Sequence, residues 1–434
     1  MNTKKITLLF TLLLCSNLLH AGPAIQHWQT ENGANVYFVP APELPMVDIQ
    51  LVFDAGAARD GDKGGLAAMT SAMMDEGAAG LNADQIAEAT DSVGAAIGFS
   101  AHKDMAVASL RSVTDTTLFE PAIALFQKIL TQPEFPQEAL TRIRKQMLIG
   151  LQAKKQQPGA IARDTFMQAL YGDHPYGQPS SGNEASLNAL TRDDLIAHYQ
   201  QYYVARNAVL AIVGDLDRAA AEKLANRLVG QLPTGDAAPK LPAVSALEQA
   251  HEQRISHPSS QSHLMMGQPG LKRGDKDYFA LYVGNHILGG SGLTSRISNE
   301  IREKRGLSYS AYSYFSPMRE LGPYILGLQT KNASVDEALQ VMRETLIEFR
   351  DNGPTASELE ASKKNITGGF PLRLDSNKKI VGYLAMIGFY QLPLDYLDTF
   401  NDRINAITLE QIKEAYQRRI APDKLVTVIV GGDG

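Results

Sequence analysis

The period of apolar and polar positions changes several times along the chain, and each change marks an element. From 25 to about 53 the alternation is that of strands, with Asn35–Pro40 closing one and Met46–Phe53 forming another. A turn rich in Gly and Asp over 54–65 leads into small and apolar residues at 66–74, which read as a helix. Asn82, three residues before Gln85, caps a second helix that runs to Val93. Strands over 95–100 and 105–112 follow, then a helix over 121–131 and a long one over 136–156. A loop of turn formers, 171–177, precedes Thr191, which caps a further helix with Asp194. The run 208–213 is apolar throughout and ends at Gly214, as a buried strand does.

The second half repeats this pattern. Thr191, Leu195, Tyr199, Val209, Ile212, Val213 and Gly214 recur as Thr408, Ile412, Tyr416, Val426, Ile429, Val430 and Gly431, at one constant offset. A cap, a helix face and a buried strand in a single register imply duplication of one unit of roughly 200 residues. Between the halves, 230–250 is rich in Pro, Ala and Gly without periodicity and reads as a linker. The expected organisation is therefore a first domain over 22–229, the linker over 230–250 and a second domain over 251–434.

One corner stands out in the second half. Ile297 and Ile301 repeat at helical spacing, basic residues crowd the helix end, and Gly306 sits where a left-handed residue would stop it. Alternation from Leu307 to Phe315 predicts a strand directly afterwards. Arg302 and Tyr309 then flank a sharp turn, a guanidinium and a phenol that share one cleft. The ordinary reading of the same residues is a charge at a helix end and a ring on a half-buried strand.

Length and composition add two points. At 434 residues, 44% hydrophobic and 20% charged, the chain is a soluble-type sequence too long for one core. Its amino terminus differs: Lys4 and Lys5, an apolar run over 6–14, then Ser16-Asn17 and Leu18-Leu19-His20-Ala21 have the form of a secretory signal over 1–21, cut after Ala21. Leu14 precedes Cys15 where a lipoprotein signal has a small residue, which favours plain cleavage and export to the periplasm as a soluble protein. Cleavage removes the only cysteine and moves the net charge from −6 to −8. That sign disfavours nucleic acid or an anionic membrane as partner, and no integral membrane segment remains after cleavage.

The duplication, the corner and the run from Asn285-His286 through Gly289-Gly290-Ser291-Gly292 to Arg296 together resemble the pitrilysin/insulinase family of zinc peptidases, the inverzincins, and among them the smaller bacterial members. The resemblance covers the whole mature chain. It implies an α/β (α+β) fold of two homologous domains, each a mainly antiparallel sheet packed with helices, together forming half of a clamshell chamber. It also implies that Arg302 and Tyr309, which match by position and context, hold substrate.

The family's H-x-x-E-H motif supplies two imidazole ligands and a general base. Ala68 stands at the first His, Ser71 at the Glu and Ala72 at the second His. The downstream Glu ligand is missing as well, since no Glu occurs between Glu138 and Glu184. No zinc is expected on this chain, and no intrinsic activity. The resemblance then implies a subunit that encloses unfolded peptides for a homologous, H-x-x-E-H-bearing, zinc-carrying partner in a heterodimer. The alternative is a non-catalytic structural or peptide-binding scaffold of the same fold.

Other candidates have simpler readings. His251, Glu252, His257 and His263 lie close in sequence, but Pro258 interrupts the strand that would align them. His102 with Asp104 is too small a ligand set. His286 reads as packing or capping, Asp75-Glu76 as a solvated pair, and the glycine loop at 289–292 as a hinge between helices, with no P-loop lysine.

Overall fold

The computed structural model describes residues 24–432; the expected signal over 1–21 lies outside them. Eight strands belong to the first half: β1 (Gln26–Gln29), β2 (Asn35–Pro40), β3 (Met46–Phe53), β4 (Gly77–Ala78), β5 (Leu81–Asn82), β6 (Ala96–Ala101), β7 (Ala106–Val113) and β8 (Ala208–Gly214). Five belong to the second: β9 (His251–Ser256), β10 (Ser259–Pro269), β11 (Ala311–Phe315), β12 (Pro323–Lys331) and β13 (Val426–Gly432). The first sheet has the order β1-β2-β8-β3-β7-β6 and the second β11-β12-β10-β13-β9, while β4 and β5 form a separate hairpin.

Read in opposite directions, the two orders are one topology. β2 runs parallel to β8 with Asn35 beside Val209, and β9 runs parallel to β13 with His251 beside Val426. The remaining pairings are antiparallel in both sheets. The constant offset in sequence thus carries into three dimensions. Gly214 and Gly431 share the same φ of 156°. At each, a Cβ would come within 2.3 Å of a neighbour, the Met46 carbonyl oxygen in one case and the Ser262 hydroxyl in the other. Thr191 and Thr408 both close capping boxes, on the helices Arg192–Tyr202 and Leu409–Arg419.

Each half lends the other a helix. Pro158–Tyr171, from the first half, packs Ala162, Phe166 and Leu170 on Met265, Ile325 and Val428 of the second sheet. Asn377–Phe389, from the second half, packs Leu384, Ala385 and Ile387 against Tyr37, Val209 and Ala211 of the first. Strand β8, buried along its whole length, is covered on both faces because of this exchange. The residues that face away from the borrowed helix, among them Val36, Phe38, Leu210 and Ile212, close on the first half's own helices.

Residues 230–250 contain no helix or strand, but they do not hang free. The carbonyls of Pro233 and Thr234 accept from the backbone of Ala205 and Arg206, the Asn207 side chain accepts from the Ala238 amide at 2.7 Å, and Arg59 donates to the Pro239 carbonyl at 2.7 Å. Leu241 is buried beside Tyr171 and Tyr176. The segment is a fixed strap, held by polar backbone contacts that composition does not encode.

The helix exchange makes a test at two glycines of the same helix. A Cβ at Gly388 would stand 2.5 Å from both Tyr37 and Val209, whereas one at Gly382 meets nothing within 4 Å. Gly388→Ala is expected to lower stability by about 1–3 kcal/mol, read from the urea midpoint, through overpacking. Gly382→Ala is expected to leave it unchanged or raise it by up to about 1 kcal/mol.

Candidate functional site

The helix at the degenerate zinc-motif positions runs Leu66–Ala72, two residues short of the expected 66–74. Its start is held by Asp60, whose two carboxylate oxygens accept from the Gly65 and Ala67 amides at 2.8 Å each. Leu66 and Met69 are buried in the first half's core. Ala68 is half-buried, Ser71 buried and Ala72 exposed. Ser71 Oγ lies 3.4 Å from the phenol of Tyr203, which burial pushes up to about 12. Two methyls and a hydroxyl supply no metal ligand and no base. Among the described residues no three His, Cys, Asp or Glu side chains are placed to hold a metal ion. Zinc does not fit this site.

The corner is built differently from the expected helix followed directly by a strand. Its last helical turn, Asn299–Glu303, is a π-turn. It closes with the Gly306 amide on the Arg302 carbonyl and the Leu307 amide on the Ile301 carbonyl, both 2.9 Å. These nested bonds are each one residue wider than the usual Schellman closure, as a π-turn requires, and Gly306 is left-handed at φ 62°. The strand begins only at Ala311, not at Leu307. Side chains replace the ladder before it: Ser308 Oγ donates to the carbonyls of Ser310 and Gln329, and Thr330 Oγ1 donates to Leu307.

Tyr309 therefore sits on a bend and is 87% exposed. Arg302 is half-buried, 3.4 Å from Glu303. Glu300, the other nearby acid, is taken by Lys304 at 2.6 Å and Arg305 at 2.8 Å, which hold its carboxyl below the usual range. Gly306 turns the chain between Arg302 and Tyr309, and no bond joins the two side chains to each other.

The remaining candidates separate. His251 on β9 and His263 on β10 lie on opposite sides of β13, and Glu252 is bound by Arg254 at 2.9 Å. His286 has both ring nitrogens occupied, by Ser362 at 2.9 Å and Asn365 at 3.1 Å. The glycine run is not a hinge at its first position: a Cβ at Gly289 would lie 2.3 Å from Ser313 Oγ, so this glycine lets the helix end touch β11. Asp75-Glu76 is not a solvated pair either. Glu76 is bound by Arg142, and burial raises the Asp75 carboxyl.

Asp104 has a role that sequence reading missed. It lies in the turn between β6 and β7, is buried, and is not paired with His102, whose ring approaches Ser100 Oγ at 3.4 Å. Asp104 accepts from the phenols of Tyr176 at 2.6 Å and Tyr390 at 3.0 Å, and from the Arg319 amide at 2.8 Å. Tyr176 in turn accepts from the Glu320 amide at 3.0 Å. Burial, then the Asp104 charge, raise both phenols far above their ordinary range, so they remain donors. One carboxylate thus ties the first half to two segments of the second. It borders a cleft of about 480 Å³ that also contains Lys103, pushed down to about 8 by burial. No local motif announces such a hub, because its partners lie 72 to 286 residues away.

Comparison with known proteins agrees with this architecture. Residues 36–184 match the family model for insulinase, peptidase family M16, and residues 189–366 match the model described as the peptidase M16 inactive domain. A crystal structure of a peptidase M16 inactive domain from Pseudomonas fluorescens superposes with a TM-score of 0.91 at 42% identity, over 94% of this chain and 98% of that one. A Helicobacter pylori protein described as a non-peptidase homolog is 26% identical over 89% of each chain. The periplasmic protease PqqL from Escherichia coli shares the fold, with a TM-score of 0.79 at 15% identity, over 95% of this chain and 46% of that one.

The buried histidine beside the degenerate helix yields a pH test. His198 has Nε2 3.3 Å from the Ala55 carbonyl, its Nδ1 is buried without a partner, and burial pushes it down to about 4. A free imidazole protonates near 6.5. As pH falls from 6.5 towards 4, the unfolded chain therefore binds a proton that the folded chain refuses. Stability should fall over that window by up to about 3 kcal/mol. His198→Gln, which keeps a donor near the Nε2 position, should flatten the urea-measured slope by about one proton.

Proposed function

The chain belongs to the M16 (insulinase) family of peptidases, and from that premise we propose that it is the non-zinc subunit of a two-chain peptidase. It encloses extended peptides and positions them for a homologous partner that carries H-x-x-E-H and the zinc. The observation that carries this reading is a contrast within one chain. The helix Leu66–Ala72 keeps its core contacts but presents Ala68, Ser71 and Ala72, whereas the Gly306 corner carries Arg302, half-buried beside Glu303, and the exposed phenol of Tyr309.

The roles follow from the side chains. The Tyr309 hydroxyl, exposed on its bend, donates to a peptide carbonyl oxygen as negative charge develops on it in the partner's reaction. Arg302 holds a neighbouring backbone carbonyl in the ground state and the transition state alike. Neither group generates a nucleophile, which is the partner's task. The share of PqqL that this chain covers, 46%, supports pairing with a second unit of similar size. Export to the periplasm rests on the expected signal over 1–21. No helix among the described residues is long and apolar enough to cross a membrane.

A scaffold role is the second reading, favoured by the inactive-domain match and by a relative described as a non-peptidase. Kinetics of the reconstituted pair separate the two. With the zinc-bearing homologue, Tyr309→Phe should lower kcat by about 10²–10³ with little change in KM, the usual loss for one oxyanion donor. Arg302→Ala should raise KM. Both should assemble normally on size exclusion. Wild-type constants for both variants would leave the scaffold reading in place.

A further inference from the structure

The second half contains a cavity of about 450 Å³ between β11 and the helix Tyr278–Asn285 with its π-turn extension. Its wall is aromatic, with Tyr278, Tyr282, Tyr312 and Phe315 among the lining residues, and it is crossed by two guanidiniums, Arg273 and Arg373. No carboxylate lines it. His286, which also lines it, has both ring nitrogens occupied, by Asn365 and Ser362.

Arg273 has no direct carboxylate partner, although it also lines the cleft that Asp104 borders. Among the described residues its guanidinium enters no ion pair, and its Nε is buried without a hydrogen-bond partner. The carboxylates nearest in sequence are committed elsewhere: Asp277 receives Arg418 at 3.0 Å and Arg419 at 2.8 Å, and Asp275 receives Arg419 at 2.6 Å. Arg273 instead lies 5.6 Å from the centre of the Tyr390 ring. Arg373 likewise has no acidic partner among the described residues and rests beside the phenols of Tyr282 and Tyr383. A half-buried guanidinium such as Arg273 is costly without a counterion unless a ligand supplies the anion, whereas Arg373 is exposed at the cavity and open to one. Guanidiniums bind carboxylates in a planar two-point geometry.

We propose that this cavity is a peptide-carboxylate subsite, with Arg273 and Arg373 holding the carboxylate and the aromatic wall taking an adjacent apolar side chain. This rests on the peptide-enclosing reading above and adds a preference to it. The carboxylate is either the free carboxyl terminus of the peptide or an acidic side chain beside an apolar one. Tyr309 precedes Tyr312 by three residues, at most about 10 Å of chain, so the cavity and the Gly306 corner lie within the span of one short peptide.

Fluorescence polarisation on the isolated mature chain tests the subsite without the partner. Three amino-terminally fluorescein-labelled decapeptides serve as probes: one ending in Leu-Phe with a free carboxylate, the same peptide as its amide, and an amide with Glu before the final Phe. The free acid or the Glu peptide should bind about tenfold or more tighter than the plain amide, and whichever does names the source of the carboxylate. Arg273→Gln and Arg373→Gln should erase that difference while leaving the amide's affinity and the melting temperature unchanged. Arg273→Lys should restore part of it. Equal binding of all three peptides by the wild-type chain overturns the subsite and leaves the peptide-enclosing reading intact. Absence of binding by any of them overturns both.

Discussion

Everything in this molecule depends on the exchange of helices between its halves. A sheet with one face on its own helices leaves the other face apolar, and here each open face is closed by a helix of the opposite half. Neither sheet can bury Val209 and Ala211, or Met265 and Val428, by itself. The two repeats are therefore one folding unit despite their separate topologies. Asp104 adds a polar lock to this apolar exchange. A buried carboxylate that accepts from Tyr176, Tyr390 and the Arg319 amide draws these donors from both halves, and losing one of them while the halves stay docked would leave a buried charge short of a partner.

That rigidity explains how a peptidase fold can lose its metal without losing its shape. The helix Leu66–Ala72 is specified by the Asp60 cap and by Leu66 and Met69 in the core, none of which is a ligand position. Ala68 and Ser71 fit the space at no cost in packing, and Ser71 finds Tyr203. The chemistry was separable from the architecture. What remains at the opposite end of the chain, the corner of Arg302 and Tyr309, depends on Gly306 and on serine and threonine side chains rather than on the metal helix.

The duplication was legible because it rests on local signals in a fixed register. Threonine caps, helix faces and glycines that admit close backbone approach recur at one offset, and Gly214 and Gly431 reproduce even the same φ. The caps at Asn82 and Thr191 were equally plain, since a capping box spans only four residues. The missed features are long-range or non-periodic. The helix Pro158–Tyr171 follows a polar break and buries its face on the other half, so its role has no local signature. The stretch 307–310 alternates like a strand, yet Ser308 and Thr330 satisfy its backbone and keep it out of the sheet. In the sequence Asp104 is weighed only with His102, as too small a ligand set, because its phenol and amide partners come from three distant segments. In the cavity beside β11, the missing counterion of Arg273 becomes visible only once Arg418 and Arg419 are seen to claim the nearby aspartates.

The central claim is a division of labour between two chains, and native mass spectrometry tests it most directly. When this protein is mixed with the homologue that carries H-x-x-E-H, the account predicts a complex of one copy of each with about one zinc. On dissociation, that zinc should stay with the homologue. Zinc that travels with this chain, or failure of the two proteins to associate while each remains folded, would contradict it.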